Sequence, residues 1–265
     1  MTYNYNLSII VTTYNRKIFL GEAIFSILNQ SFKDFELIIV DNFSNYDFFS
    51  FINSFKDSRI KAFQNHNNGI ISVNRNYGIS KASGRFLAFC DDDDIWKENK
   101  LSEQMALTKK IRYQNQLLVL HTNTILFGND LIETRTKKRN IKNLNDFLFY
   151  NDITLSTVLL TNSQLIHFNE STIYVSSEDY NLWIELLLSG YIFELIDSPL
   201  VYYRVDNNSV SRHNTESFKH LRYLIIILTN IVKYKVRNIN VTKLFFMIVY
   251  EYLKFVIRLK LKKNK

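Results

Sequence analysis

One cysteine, one proline and six glycines in 265 residues exclude several classes of protein at once. A lone thiol, Cys90, cannot close an intramolecular disulfide, so a reducing, cytoplasmic compartment fits best. So few prolines and glycines exclude collagen-like and linker-rich chains. No stretch reaches the ~18 uncharged apolar residues needed to span a bilayer, and the polar opening of residues 1–6 lacks the charged-then-apolar order of a signal peptide. With 46% hydrophobic and 22% charged residues, wholesale disorder is also excluded. The length suits one large domain or two small ones with a full core, by the usual ~100–200 residues per domain.

The charge is unevenly placed. Residues 216–265 hold twelve Lys/Arg against two acids, a net of +10, so residues 1–215 carry −2 of the chain's +8. A nucleic-acid-binding fold carries its basic stripe over the folded surface, so anionic lipid or RNA is left as a partner of the C-terminus alone.

The first hundred residues alternate short apolar runs with helix-period segments. Residues 7–11, 36–40, 59–64 and 85–90 read as strands, β-branched or aromatic and bounded by Asn, Asp or Gly. Leu20, Ala23, Ile24, Ile27 and Leu28 fall on one helical face between the first two. Strand, helix, strand repeated predicts βαβ units and a parallel sheet, with ligands outside the carboxyl ends of its strands. The residues at those ends are 12–15, 41–44 and Asp91-Asp92-Asp93-Asp94. Four adjacent carboxylates repel one another. A solvated acidic loop is one reading; a divalent cation that neutralises part of the charge is favoured, because the run is held between the strand at 86–89 and Ile95-Trp96.

These segments resemble the family 2 inverting glycosyltransferases with the GT-A fold. Residues 8–16 (SIIVTTYNR), 26–31 (SILNQS) and 36–41 (ELIIVD) look like the family's opening. Arg75-Asn76-Tyr77-Gly78-Ile79 with Ala82-Ser83-Gly84 is similar to its "RNxGI…AxG" segment, and the four aspartates to its DXD motif. Residues 178–183 (EDYNLW) resemble "EDxxLW", and Tyr203-Arg204 with residues 209–211 the closing "YRxHxxSxS". The pieces occur in order over residues 7–213.

The resemblance implies an α/β GT-A (Rossmann-like) fold, a mixed, mainly parallel sheet flanked by helices with a C-terminal helical extension. Residues 1–215 form the glycosyltransferase domain, 1–100 its nucleotide half and 101–215 its acceptor half; residues 216–265 form a basic amphipathic helical tail. It implies metal-dependent inverting transfer of a sugar from a UDP-sugar to a saccharide or lipid-linked glycan, as in surface polysaccharide biosynthesis. Asp93 is the first expected ligand of Mn²⁺ or Mg²⁺, hard ions suited to oxygen ligands. Asp206 is a second, standing where the family often has histidine; a solvated acid fits there as well. Asp91 and Asp92 are assigned to ribose hydroxyls or a metal-bound water. Asp94, Trp96 and Glu178 are assigned either to the acceptor or to support of the ligands. Thr12, Tyr14, Asp41 and Asn42 are expected at the base, because a carboxylate accepts the uracil N3–H; Asn42 stands where the family often has a second acid. For Tyr14, packing on a neighbour is the alternative to stacking on the base. Arg75 pairs with a phosphate or lies on the surface.

Asp179 is the expected general base, at a helix start anchored by Leu182, Trp183, Leu186 and Leu187, with Gly190 as its stop; it could also be the N-cap. Glu178 is the competing base. Glu185 stands where the family has arginine, so contacts assigned to that arginine do not carry over. His167 and His213 lack a partner at ligand spacing and read as structural or surface residues. Residues 117–120 predict a further strand and residues 135–139 a basic loop, solvated or touching an acceptor diphosphate.

The tail reads as two helices. Leu244, Phe245, Ile248, Val249, Tyr252, Leu253, Val256 and Leu259 make one apolar stripe that runs into Lys260, Lys262, Lys263 and Lys265. Packing on the domain or on a second subunit, as in a homodimer, competes with an in-plane helix at the inner face of a membrane, which the basic end favours. A nucleotidyltransferase that makes nucleotide sugars is the other enzyme reading, but residues 12–17 hold no glycine for its phosphate loop. An RNA-binding protein built on the tail and the aromatics is the non-enzymatic reading.

Overall fold

The computed structural model describes residues 4–110, 116–128, 131–136, 141–148, 150–205 and 219–263. The apolar runs of the first half form four parallel strands. β1 (Tyr5–Thr13) lies between β2 (Phe35–Asp41) and β4 (Gly84–Asp91), and β3 (Ile60–Gln64) pairs with β2. The connections carry α1 (Lys17–Leu28), α2 (Phe48–Asn53) and α3 (Ile71–Lys81). Because the chain moves from β1 to one side and later returns to the other, β1 and β4 flank a topological switch point, where open α/β sheets bind ligands.

Beyond β4 the sheet continues through β8 (Leu159–Thr161), β6 (Leu118–Gly128), β9 (Ile192–Arg204) and β5 (Ile95–Trp96), while β7 (Leu131–Arg135) closes a hairpin on β6. The long ladders are parallel; the antiparallel ones are short. Side chains alternate between two cores. Ile10, Ile38 and Phe89 join one, Ile9, Ile39 and Ala88 the other. Burial on both faces explains why these strands read as continuous apolar runs. Leu20, Ala23, Ile24 and Ile27 of α1 are fully buried, as their spacing predicts. Two glycines of the "RNxGI…AxG" segment mark close approaches. A Cβ on Gly78 would stand 2.7 Å from Ile10 Cγ2, and one on Gly84 2.4 Å from the Ser8 nitrogen.

α4 (Lys100–Thr108) covers the second core and α5 (Glu178–Leu188) the first. The C-terminal helices are α6 (Lys219–Lys233) and α7 (Val241–Lys263). α6 behaves as part of the domain and not as a tail. Tyr223, Leu224, Ile226 and Ile227 are buried in the same core as α5, and the Tyr223 ring stacks on Tyr180 at 4.0 Å. Asn230 donates to Asn181 and Lys233 pairs with Glu185, at 3.1 and 2.6 Å. α7 reaches the core mainly through Met247, and among its described side chains Phe245, Phe246, Tyr252 and Leu253 are exposed. No helix among the described residues is long and apolar enough to cross a membrane.

Candidate active site

The strand ends meet as their positions predict. Thr12 pairs with Asp91 across β1–β4, and Thr13 with Asp41 across β1–β2. The four aspartates at the end of β4 are neither a solvated loop nor an open acid cluster, because three arginines and the Thr13 and Ser156 hydroxyls hold them. Asp92 is buried, accepting from the Thr13 hydroxyl at 2.7 Å and from Arg16 at 3.1 Å. The same Arg16 nitrogen reaches Asp93 Oδ2 at 2.8 Å. Arg204 donates from Nε to the Asp93 carbonyl and from its backbone to Asp94 Oδ1, at 2.9 and 3.1 Å. Burial raises Asp92 to a pKa of about 6 despite Arg16, and raises Asp93 with the help of the Asp91 charge. Asp94 is fully buried and therefore supports the turn from behind. Asp92, expected at the ribose, faces inward instead.

Two aspartates of the run keep exposed oxygens: the side chains of Asp91 and Asp93 are 31% and 24% exposed. Among the described residues no group of three or more His, Cys, Asp or Glu is arranged to hold a metal. A donor set of one or two carboxylates fits Mg²⁺ or Mn²⁺ shared with a phosphate and water, and does not fit a site closed by protein alone. Asp206 lies outside the described residues, as do residues 209–211 and His213.

On the nucleotide side, Asp41 is fully buried, with its oxygens accepting from the Ser44 backbone and hydroxyl and from Gln64 Nε2. Asn42 Oδ1 accepts from the Asn67 backbone at 3.0 Å. The pair thus organises the loops around it. Tyr14 is 54% exposed, so the packed alternative does not hold. Asn15, at φ +56°, ties this loop to the next through Ser44 and Asn45. Phe43 stacks on His66 at 3.9 Å beside it, an aromatic surface the sequence pattern did not single out.

Across the switch point stands the start of α5. Its N-cap is Ser177, so Asp179 is the second helical residue and not the cap. Arg75 is buried and bridges two acids, Glu178 at 2.6 Å and Asp91, the last residue of β4, at 3.0 Å, with its guanidinium 5.3 Å from the Phe168 ring. The surface reading of Arg75 is thereby corrected: α3 packs on the face of β1 and β2, and the Arg75 side chain is buried between Glu178 and Asp91. Glu178 Oε2 has no hydrogen-bond partner among the described residues. Asp179 accepts from Asn151 Nδ2 at 2.8 Å and from the Tyr180 backbone. Burial, with the neighbouring Glu178 charge, raises its pKa to about 6, against the pull of Arg75. It still keeps a partly exposed edge on a cleft of about 300 Å³, walled also by Asp91, Glu178, Thr124, Arg135 and Tyr203. Trp96 is absent from that wall; it is buried in the second core with Lys100 Nζ 3.7 Å from its ring.

Sequence reasoning gave no role to Arg16, Thr13, Asn151 or Tyr223. Arg16 was marked only by its place after a strand end, and Asn151 and Tyr223 by nothing local. His167 is exposed, with Nε2 3.4 Å from the Asn76 amide.

Comparison with known proteins extends the geometry. The profile of a family described as Glycosyl transferase family 2 matches residues 8–153. An Escherichia coli UDP-Glc:alpha-D-GlcNAc-diphosphoundecaprenol beta-1,3-glucosyltransferase, WfaP, is 32% identical over 81% of this chain and 82% of its own length. A GalNAc(5)-diNAcBac-PP-undecaprenol beta-1,3-glucosyltransferase of Campylobacter jejuni is 44% identical over a shorter span, 37% of this chain and 33% of its own. Among solved structures, S. aureus TarS 1-349 in complex with UDP-GlcNAc superposes with a TM-score of 0.71 at 20% identity, over 90% of this chain and 69% of that fragment. A Pyrobaculum calidifontis mannosyltransferase in complex with GDP-Man and Mn²⁺ gives 0.61 at 13% identity, over 95% and 70%.

Proposed function

Because the chain belongs to glycosyl transferase family 2 and is a glycosyltransferase with the GT-A fold, we propose that it moves a sugar from a UDP-sugar to a lipid-linked saccharide in polysaccharide synthesis. The observation that carries the reading is Asp179, a carboxylate with a pKa near 6 in a cleft shared with Asp91 at the switch point. The names of the two relatives described above support a diphospholipid-linked acceptor, and that of WfaP a UDP-sugar donor; the TarS complex with UDP-GlcNAc supports a nucleotide-sugar donor for this fold.

The reaction is a direct displacement. The acceptor oxygen forms a bond to the anomeric carbon as the bond to the UDP oxygen breaks, the acceptor proton passes to Asp179, and UDP leaves with the electron pair. Glu178 Oε2 is free to accept from a sugar hydroxyl. The first turn of α5 favours ionised Asp179, so the base is ready at neutral pH. Asp93, with Asp206, would hold Mn²⁺ or Mg²⁺, which supplies Lewis-acid stabilisation of the diphosphate charge. Thr12, Tyr14, Asp41 and Asn42 would shape the base site, Tyr14 by stacking and the buried pair by fixing the loop. Asp91 would reach the ribose, and Arg75 would hold Asp91 in place. The exposed apolar residues of α7 and the basic C-terminus would seat the protein on an anionic membrane, where such acceptors reside.

The test is UDP release from a panel of UDP-sugars, with Mn²⁺ or with chelator, in the presence and absence of a diphospholipid-linked saccharide. At least one donor should release UDP in a metal-dependent way, accelerated by the acceptor, and Asp93→Ala should lose this. Turnover of a nucleoside triphosphate with a sugar phosphate instead would make the protein a nucleotidyltransferase.

A further inference from the structure

The β6–β7 hairpin, where the sequence predicts only a strand at 117–120 and a basic loop at 135–139, forms one wall of the cleft. Thr124 on β6 pairs with Arg135, the last residue of β7, and both line the space that Asp179 faces. The charges in that space are uneven. Asp91, Glu178 and Asp179 are acids; of the two arginines, Arg75 is buried and already bridges two of them. Arg135 is exposed and makes no ion pair among the described residues. In sequence it opens a basic run, Arg135 to Arg139, interrupted only by Thr136.

An uncommitted guanidinium on the wall of a small polar cleft is a receptor for an oxyanion, and its planar fork matches phosphate in a bidentate way. At about 300 Å³ the cleft sits at the low end of small-molecule sites. A ligand that fills it and touches both Asp179 and Arg135 is therefore short, with a hydroxyl at one end and an anion at the other. We infer that Arg135 binds the phosphate attached to the acceptor's first sugar, so that the enzyme selects sugar phosphates or diphosphates over neutral glycosides. The inference rests on the glycosyl-transfer reading. A diphosphate is also present in the donor, and the experiment separates the two sources.

The full-length enzyme and Arg135→Ala are assayed with one UDP-sugar and two acceptors that share a sugar: its lipid diphosphate and its neutral alkyl glycoside. UDP affinity is measured by calorimetry alongside. A charge-assisted hydrogen-bonded contact is worth ~1.5–3 kcal/mol, so the preference for the diphosphate should fall roughly 10–100-fold, as a rise in KM, with Arg135→Lys intermediate. An unchanged preference, or equal loss on both acceptors, overturns the assignment. Loss of UDP affinity of the same size also overturns it, because the guanidinium would then serve the donor. Absence of UDP release by the wild type from every UDP-sugar would instead sink the transfer reading beneath it.

Discussion

Asp179 combines two demands that pull in opposite directions. As an acid whose folded pKa, about 6, exceeds the unfolded value of ~3.9, it holds its proton more tightly in the native state. Its favourable contribution is thus complete below pH ~4 and is lost as pH rises through 6, so the ionised base costs stability at neutral pH. Catalysis needs that ionised form. Transfer should therefore fall about tenfold per pH unit below 6, and Asp179→Asn should lose at least ~10²-fold in kcat while binding UDP normally. The same variant should melt no lower than the wild type at pH 7. Near-normal transfer by Asp179→Asn, with Glu178→Gln inactive, would move the base to Glu178. The Glu178–Arg75–Asp91 bridge makes that comparison informative, since Glu178 also holds the arginine that positions the end of β4.

At the scale of elements the two C-terminal helices part company. α6 places Tyr223, Leu224, Ile226 and Ile227 in the core, and each large apolar side chain is worth ~1.5–3 kcal/mol when buried. Removing residues 219–265 forfeits much of a net stability of ~5–15 kcal/mol and should leave insoluble or unfolded protein. Removing only residues 241–265 should leave a folded enzyme that still turns over a water-soluble acceptor, seen by melting and UDP release. The sequence could not separate these helices. α6 also has Leu221, Ile225, Leu228 and Val232 exposed, so its apolar side is wider than the part the domain covers, and periodicity does not say which part that is. The strands of the first half, β1 to β4, were legible for the converse reason: sheets buried on both faces need continuous apolar runs, and such runs stood between the turn residues. β7 escaped notice because a short edge strand with Glu, Thr and Arg carries no such run.

Across the whole molecule, the charge asymmetry sets a directional expectation. With +10 on the last fifty residues and −2 on the rest, the protein should bind anionic vesicles by its C-terminus and ignore neutral ones. Raising salt from ~0.1 to ~1 M shortens the screening length from ~10 to ~3 Å, so co-sedimentation should be largely lost. Binding that survives such salt, or that occurs on neutral lipid, would assign attachment to the apolar residues of α7 alone. The candidate site was half legible at this scale. Strand-end position marked Asp91 and Asp93, and the helix start marked Asp179. What neutralises them was hidden, because Arg16, Arg75 and Arg204 meet their acids only after chain segments of 16 to 111 residues have folded together.

That separation gives the Arg75 bridge a place in time. During synthesis α3 and β4 emerge early, whereas Glu178 lies 103 residues beyond Arg75 and becomes available only when the second half has left the ribosome. Until then the arginine can pair with Asp91 alone, and the nucleotide half exists without its acceptor wall. Closing so distant a contact is slow compared with forming a local one. The bridge is therefore among the last contacts to lock, and the nascent chain acquires a place for a nucleotide before it acquires the means to transfer a sugar.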